Sequence, residues 1–223
     1  MEIKLTAQKI LRIFLTIVFF LLVMNIIDII YTHYLDHDMF FRNKWTFDGE
    51  RNFPAYYSSF TLLFSSLLLF IIALSKKNQH NEYFYWLGLS AIFLYLSLDE
   101  LLRIHENLSP LAEKFLSESP YIGWWVPVGI ILLPLSLIYL RFVFNLQKRT
   151  RYLFIISGLI FILGAVGFEI LGSIALETNG RDITYAILYT IEELLEMLGI
   201  VIFIYALVSY MSKYLKSITI AIK

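Results

Sequence analysis

Acidic side chains recur in small groups within stretches of this chain that are otherwise apolar. The densest group begins where an uncharged run, 83–98, ends. The stretch 97–108 reads SLDELLRIHENL. Its charged or ionisable residues are Asp99, Glu100, Arg103, His105 and Glu106. Carboxylates beside an imidazole can bind a metal ion, transfer protons or form local ion pairs.

Further acids lie far along the sequence, again among apolar residues. Glu169 stands alone in GAVGFEILGS, whose glycines permit close helix approach. The stretch EELLE supplies Glu192, Glu193 and Glu196, and no Lys or Arg lies between Arg181 and Lys213. These glutamates therefore have no cation on their own segment.

The residue types favour a site for a divalent metal ion. Carboxylate oxygens with one imidazole suit manganese, iron, magnesium or calcium, and zinc less readily. We predict the following metal ligands: Asp99, Glu100, His105, Glu169, Glu193 and Glu196. Arg103 would orient carboxylates, and Glu106 or Glu192 would act as general base.

Familiar catalytic motifs are missing from the chain. It contains no HExxH, no Glu-x-x-His and no GxSxG, and it has no cysteine. These absences disfavour metalloproteases of the HExxH type, histidine-rich zinc hydrolases, serine hydrolases and thiol chemistry. The likeness to di-iron carboxylate bundles is confined to acids on several helices.

Composition indicates the elements that must carry these acids. Apolar residues make up 59% of the 223 residues and charged residues 16%, with a mean hydropathy of +0.71. Soluble domains average about 45–50% apolar and about 25% charged residues. The chain is therefore predicted to be a membrane protein. Its balanced charge, 18 basic against 18 acidic residues, gives no indication of a nucleic-acid partner.

Hydropathy predicts an all-α integral membrane bundle that occupies residues 1–223 as one domain. A helix needs about 20 apolar residues to cross the hydrocarbon core. Six spans qualify: 10–31, 57–75, 83–103, 122–142, 152–175 and 184–211. A short helix near 110–118, opened by Ser109-Pro110, is expected to lie on the outer interface.

Basic residues predict the orientation of the bundle. Lys and Arg accumulate at both termini and in the second and fourth loops, and they are sparser in the other loops. Cytoplasmic loops carry this excess in membrane proteins. We therefore expect a multipass protein of the cell membrane with both termini in the cytoplasm.

Counting helix rise from the basic anchors places the acids at one level near the outer side. That level would hold eight carboxylates and one cation, Arg103. The acids are Asp28, Asp99, Glu100, Glu106, Glu169, Glu192, Glu193 and Glu196. Unpaired charges are costly in lipid, so protons, metal ions or water must compensate them.

Three functions are compatible with this arrangement. The first is a metal-dependent enzyme, a hydrolase or di-metal oxidoreductase, that acts on a lipid or amphipathic substrate at the outer leaflet. The second is a cation- or proton-coupled transporter or channel using the same acids. The third is a non-catalytic membrane subunit that senses metal or pH. A homo-oligomer that shares the site between chains is also compatible with the sequence. A purely local ion-pair triad of Asp99, Arg103 and Glu106 remains the simplest alternative for the first group.

Overall fold

The computed structural model describes residues 6–35, 44–49, 51–78, 80–102, 104 and 137–215. Over these ranges the chain is helical, with short turns and no strand. The helices are α1 (Ala7–Ile30), α2 (Phe53–Ser75), α3 (His80–Leu102), α4 (137–145), α5 (Lys148–Ile162), α6 (Glu169–Asn179) and α7 (Ile183–Tyr214). Two π-helical segments, Tyr31–Leu35 and Leu163–Phe168, extend α1 and join α5 to α6.

Five helical segments in the described ranges are long and apolar enough to cross a membrane. They are Ala7–Tyr34, Phe53–Ser75, Glu82–Leu102, Lys148–Asn179 and Ile183–Tyr214. They correspond to five of the six predicted spans, so the all-α architecture is confirmed for these residues, with helices long and apolar enough for a multipass arrangement. Of the predicted span 122–142, only its last part, within α4, is described. The predicted interfacial helix 110–118 lies outside the described residues.

Three helices begin with side-chain caps. Thr6, Asn52 and Asp182 precede α1, α2 and α7, and each accepts a hydrogen bond from the backbone N–H three residues later. Such caps satisfy donors that a helix end leaves open. Hydropathy counting missed the polar first turn of α1, so the predicted start at residue 10 was late.

The last helix, α7, is the centre of the bundle and contacts α1, α2, α5 and α6. Its second half carries Phe203, Ile204 and Leu207, whose side chains are buried with Trp86 of α3. A hydrogen bond between Asn25 near the end of α1 and Thr190 near the start of α7 shows that the two helices are antiparallel. The amino end of α1 and the carboxyl end of α7 therefore lie at the same end of the bundle.

Helices α2 and α3 are joined by two reciprocal serine pairs. Ser59 and Ser97 each donate to the other's carbonyl oxygen, at 2.9 and 2.8 Å. Ser66 and Ser90 repeat the arrangement at 2.7 and 2.9 Å. Small polar residues of this kind let helices approach closely and pair across the interface.

Candidate functional site

Five of the eight acids that the sequence analysis assigned to one level interact with one another in the structure. Glu192 of α7 shares a side-chain hydrogen bond with Glu169 at the start of α6. The carboxyl group of Glu193 lies near those of Glu196, Glu100 and Glu169, and that of Glu196 lies near those of Glu100 and Glu169. Three separate helices, α3, α6 and α7, thus bring carboxyl groups within interaction distance. We call these five glutamates the acidic site.

The π-helical segment Leu163–Phe168 positions Glu169. A π-helical turn accommodates an extra residue, so it rotates the following helix face relative to a continuous α-helix. Gly164 lies within this segment, and a Cβ there would be 2.7 Å from the Glu192 carbonyl oxygen and 3.0 Å from Glu196 Cγ. Glycine therefore allows the backbone to contact α7 where the glutamates are.

Residues 44–49, the described part of the segment between α1 and α2, pack against α1 and α7 beside the acidic site, and we call them the returning loop. The amide of Asn25, which is fully buried, accepts a hydrogen bond from the Phe47 backbone N–H at 2.8 Å. The same amide donates to the Thr190 hydroxyl at 2.9 Å. Asn25 precedes the end of α1 by five residues, about 7.5 Å of helix rise. The loop therefore descends beside α1 by more than a helical turn.

A second polar contact holds the returning loop to the start of α7. Asp48 accepts a hydrogen bond from the Tyr185 hydroxyl at 2.5 Å and lies 3.3 Å from the Arg181 guanidinium. Its charge also interacts with that of Glu193. Asn52, which is buried, donates to the Thr46 carbonyl at 2.7 Å and so stabilises the loop's shape.

The relative depth of the loop and the acidic site follows from positions along α7. Thr190 is at the level of Phe47, because Asn25 bonds to both. Glu193 is three residues further along, about 4.5 Å deeper, and Glu196 about 9 Å deeper. Residues 44–49 therefore lie nearer the start of α7 than Glu193 and Glu196 do.

The remaining predicted site residues are placed only in part. Asp99 interacts with Tyr95, one turn earlier on α3, and Asp28 interacts with Tyr189 of α7. Asp28 thus lies beside the first part of α7. Arg103, His105 and Glu106 lie outside the residues whose side chains are described.

The metal prediction is not supported by the geometry of the described part of the chain. No group of three or more His, Cys, Asp or Glu side chains in those ranges is arranged to hold a metal ion. The predicted ligand His105 falls outside them. The metal ion therefore stays a prediction.

One protein-family model matches most of the chain. The model described as "Domain of unknown function (DUF8692)" matches residues 11–211. The chain belongs to this family. The match covers nearly all of α1 and α7, and all five glutamates of the acidic site lie inside the family domain. Neither the curated proteins nor the solved structures contain a match.

Two contacts of the site were not predicted from sequence. Asn25 is a single amide in an apolar span, and that polarity is the signal that marks it. Asp48 lies in a loop of mixed composition, where no spacing pattern indicates a partner on α7. Its contact with Tyr185 spans 137 positions and is visible only after folding.

Proposed function

We propose that this protein is a metal-dependent membrane enzyme whose acidic site binds a divalent cation and activates water. The supporting observation is that Glu100, Glu169, Glu192, Glu193 and Glu196 interact across three helices. Oxygen ligands of this kind suit manganese, iron, magnesium or calcium, and zinc less readily. A bound cation would compensate like charges that otherwise repel.

Within this proposal the carboxylates have different roles. Glu100, Glu169, Glu193 and Glu196 would hold the cation, with Asp99 and His105 as further ligands. Glu192, bonded to Glu169, would remove a proton from the bound water. Glu106 would be an alternative base, and Arg103 would orient the carboxylates. The reaction would be a hydrolysis or, with two metal ions, an oxidation.

The depth of the site suggests the substrate class. The five glutamates lie on the apolar spans and inward of the returning loop, so an entirely water-soluble substrate would have to pass that loop. A lipid or another amphipathic molecule could enter from the outer leaflet between the helices. We also propose that the protein resides in the cell membrane with both termini in the cytoplasm. A homo-oligomer that shares the site between chains is compatible with this proposal.

Metal analysis of the purified protein tests this proposal. The protein is exchanged into phosphatidylcholine nanodiscs, incubated with manganese, iron or zinc, washed, and analysed by elemental mass spectrometry. We expect bound metal in the wild type and its loss in Glu169→Gln and Glu193→Gln. Glu177→Gln is the matched control, because Glu177 is exposed on the same helix as Glu169. Absence of metal from the wild type would refute the metal site.

The hydrogen bond between Glu169 and Glu192 supports a second candidate, a proton-coupled transporter. Two carboxyl groups can share a hydrogen bond only when one of them carries a proton. Acid groups that share protons inside a membrane commonly form proton relays. Ion flux into liposomes driven by an acid gradient, lost in Glu192→Gln but not in Glu177→Gln, would favour this function. Bound metal without flux would favour the enzyme.

A further inference from the structure

A cavity lies at the end of the bundle opposite the acidic site, between the start of α3 and the end of α4. Its volume is about 670 Å³. Pockets that bind small molecules usually measure about 300–1,000 Å³. The lining residues used below are Glu82 and Tyr85 of α3 and Tyr139, Arg141, Phe142 and Asn145 of α4.

Aromatic rings form one wall of this cavity. The Tyr85 and Phe142 rings are stacked with centroids 5.0 Å apart. The Tyr139 hydroxyl donates to the Tyr85 carbonyl at 3.2 Å, which ties α4 to α3. A Cβ on Gly88 would overlap the Tyr139 hydroxyl, so the glycine makes room for this ring. The wall is therefore built by specific contacts between the two helices.

The polar side of the cavity carries a positive charge. Arg141 is exposed at its rim, and no acidic side chain in the described ranges forms a salt bridge with it. Glu82, the acid that lines the cavity, instead binds the Lys76 ammonium at 2.9 Å. Asn145 adds an exposed amide beside Arg141. An anion thus finds a guanidinium and an amide donor, whereas the nearby acid already has a cation.

We propose that this cavity binds the phosphate headgroup of an anionic phospholipid from the leaflet at the basic end of the bundle. Arginine presents a planar fork of donors that matches phosphate oxygens. The aromatic wall offers an apolar surface to the glycerol and first acyl carbons. Basic pockets between membrane helices hold lipid headgroups in this way. The cationic group of a zwitterionic lipid would need an acidic partner, and Glu82 is already paired with Lys76.

Lipid-dependent thermal unfolding tests this site. The full-length protein is placed in nanodiscs of phosphatidylcholine alone or of phosphatidylcholine with phosphatidylglycerol, and its Tm is compared. Native mass spectrometry counts the lipids that remain bound. The variants are Arg141→Gln, Arg141→Lys and the control Arg149→Gln. Arg149 is a suitable control because it lies at the same end and donates to Tyr205 of α7 at 2.8 Å.

We expect phosphatidylglycerol to raise the Tm of the wild type and of Arg149→Gln, with one lipid retained per chain. Arg141→Gln should lose this increase and bind phosphatidylglycerol about tenfold more weakly, and Arg141→Lys should be intermediate. An unchanged lipid preference in a folded Arg141→Gln variant would overturn the proposal. Equal stabilisation by inorganic phosphate alone would also overturn it, because the cavity would then take a free anion. Equal stabilisation by phosphatidylcholine and phosphatidylglycerol would overturn the proposal as well.

Discussion

The two halves of α7 are held in the bundle by different interactions. Residues 197–214 bury apolar side chains such as Ile204 and Leu207 almost completely. Residues 183–196 add polar contacts: Tyr185 bonds to Asp48, and Glu192 bonds to Glu169. Under the proposed orientation, residues 183–196 are the outer half of α7 and residues 197–214 the inner half. The inner half is then stabilised by close packing rather than by escape from water, because lipid tails are as apolar as leucine.

This difference separates stability from function within one helix. The inner half should fix the position of α7, while the outer half presents groups that can bind a ligand or a proton. Substitutions in the two halves should therefore have distinct signatures. Inner substitutions should lower the free energy of unfolding and leave binding by the folded fraction intact.

Leu207→Ala should give the largest loss of stability. Leu207 is fully buried in α7, and its truncation leaves a cavity in the packed half. We expect a loss of about 2–4 kcal/mol. Unfolding in detergent followed by circular dichroism measures it. The control is Leu159→Ala, because Leu159 is 64% exposed on α5. Equal losses in both variants would show that the inner half has no special packing.

Gly164→Ala should both lower the free energy of unfolding and weaken ligand binding, because it affects the contact between the π-helical segment and the outer half of α7. The added methyl group would lie 2.7 Å from a backbone oxygen of α7, which cannot rotate away. We expect a loss of about 1–3 kcal/mol, together with weaker cation or proton binding. The matched control is Gly158→Ala on α5, where a Cβ meets nothing within 4 Å. That control should be neutral or slightly stabilising, since alanine is the better helix former.

Asn25→Ala should have a smaller effect on stability and a distinct effect on the returning loop. It removes the acceptor for the Phe47 N–H, a buried donor, at a cost of about 1–2 kcal/mol. Because the chain has no cysteine, a Thr46→Cys reporter can measure exposure of the loop. Maleimide should label that cysteine faster when Asn25 is also replaced. Replacing Thr16, an exposed residue of the same helix, should leave the labelling rate unchanged.

The smallest effect is expected at the Asp182 cap of α7, and it should depend on pH. The hydrogen bond from the Tyr185 backbone N–H lowers the pKa of Asp182 below its ordinary value of 3.8. A lowered pKa in the folded state means that the cap stabilises above the unfolded pKa and is lost as the pH falls through the folded one. Asp182→Ala should lower the Tm at neutral pH, and the difference from wild type should shrink below pH 3.8. Asp182→Asn keeps an acceptor and should show less of this pH dependence.

The sequence predicted the features that depend on periodic or additive properties. Apolar runs are long enough to define spans on their own, so five predicted helices have counterparts in the structure. Counting helix rise placed Glu169 and Glu192 at one level, and the two side chains do bond. Depth is additive along a straight helix, so it could be estimated from position alone.

Features that arise only after folding were not predicted. The π-helical segment before Glu169 changes the direction of the following helix face, and glycines alone did not indicate it. The descent of residues 44–49 beside α1 depends on an amide that bonds to two distant segments. Helical angles calculated on an ideal α-helix could not include either effect. The directions of the acidic side chains therefore could not be calculated from the sequence.

The reciprocal serine pairs have a consequence for how the protein enters the bilayer. All four hydroxyl groups of these pairs are satisfied between α2 and α3. The helical hairpin thus has no need of later helices to compensate these groups in hydrocarbon. During biogenesis the hairpin of α2 and α3 can therefore enter the bilayer with these hydroxyl groups already paired, whereas Glu100 of α3 meets its partners only after α6 and α7 have been made.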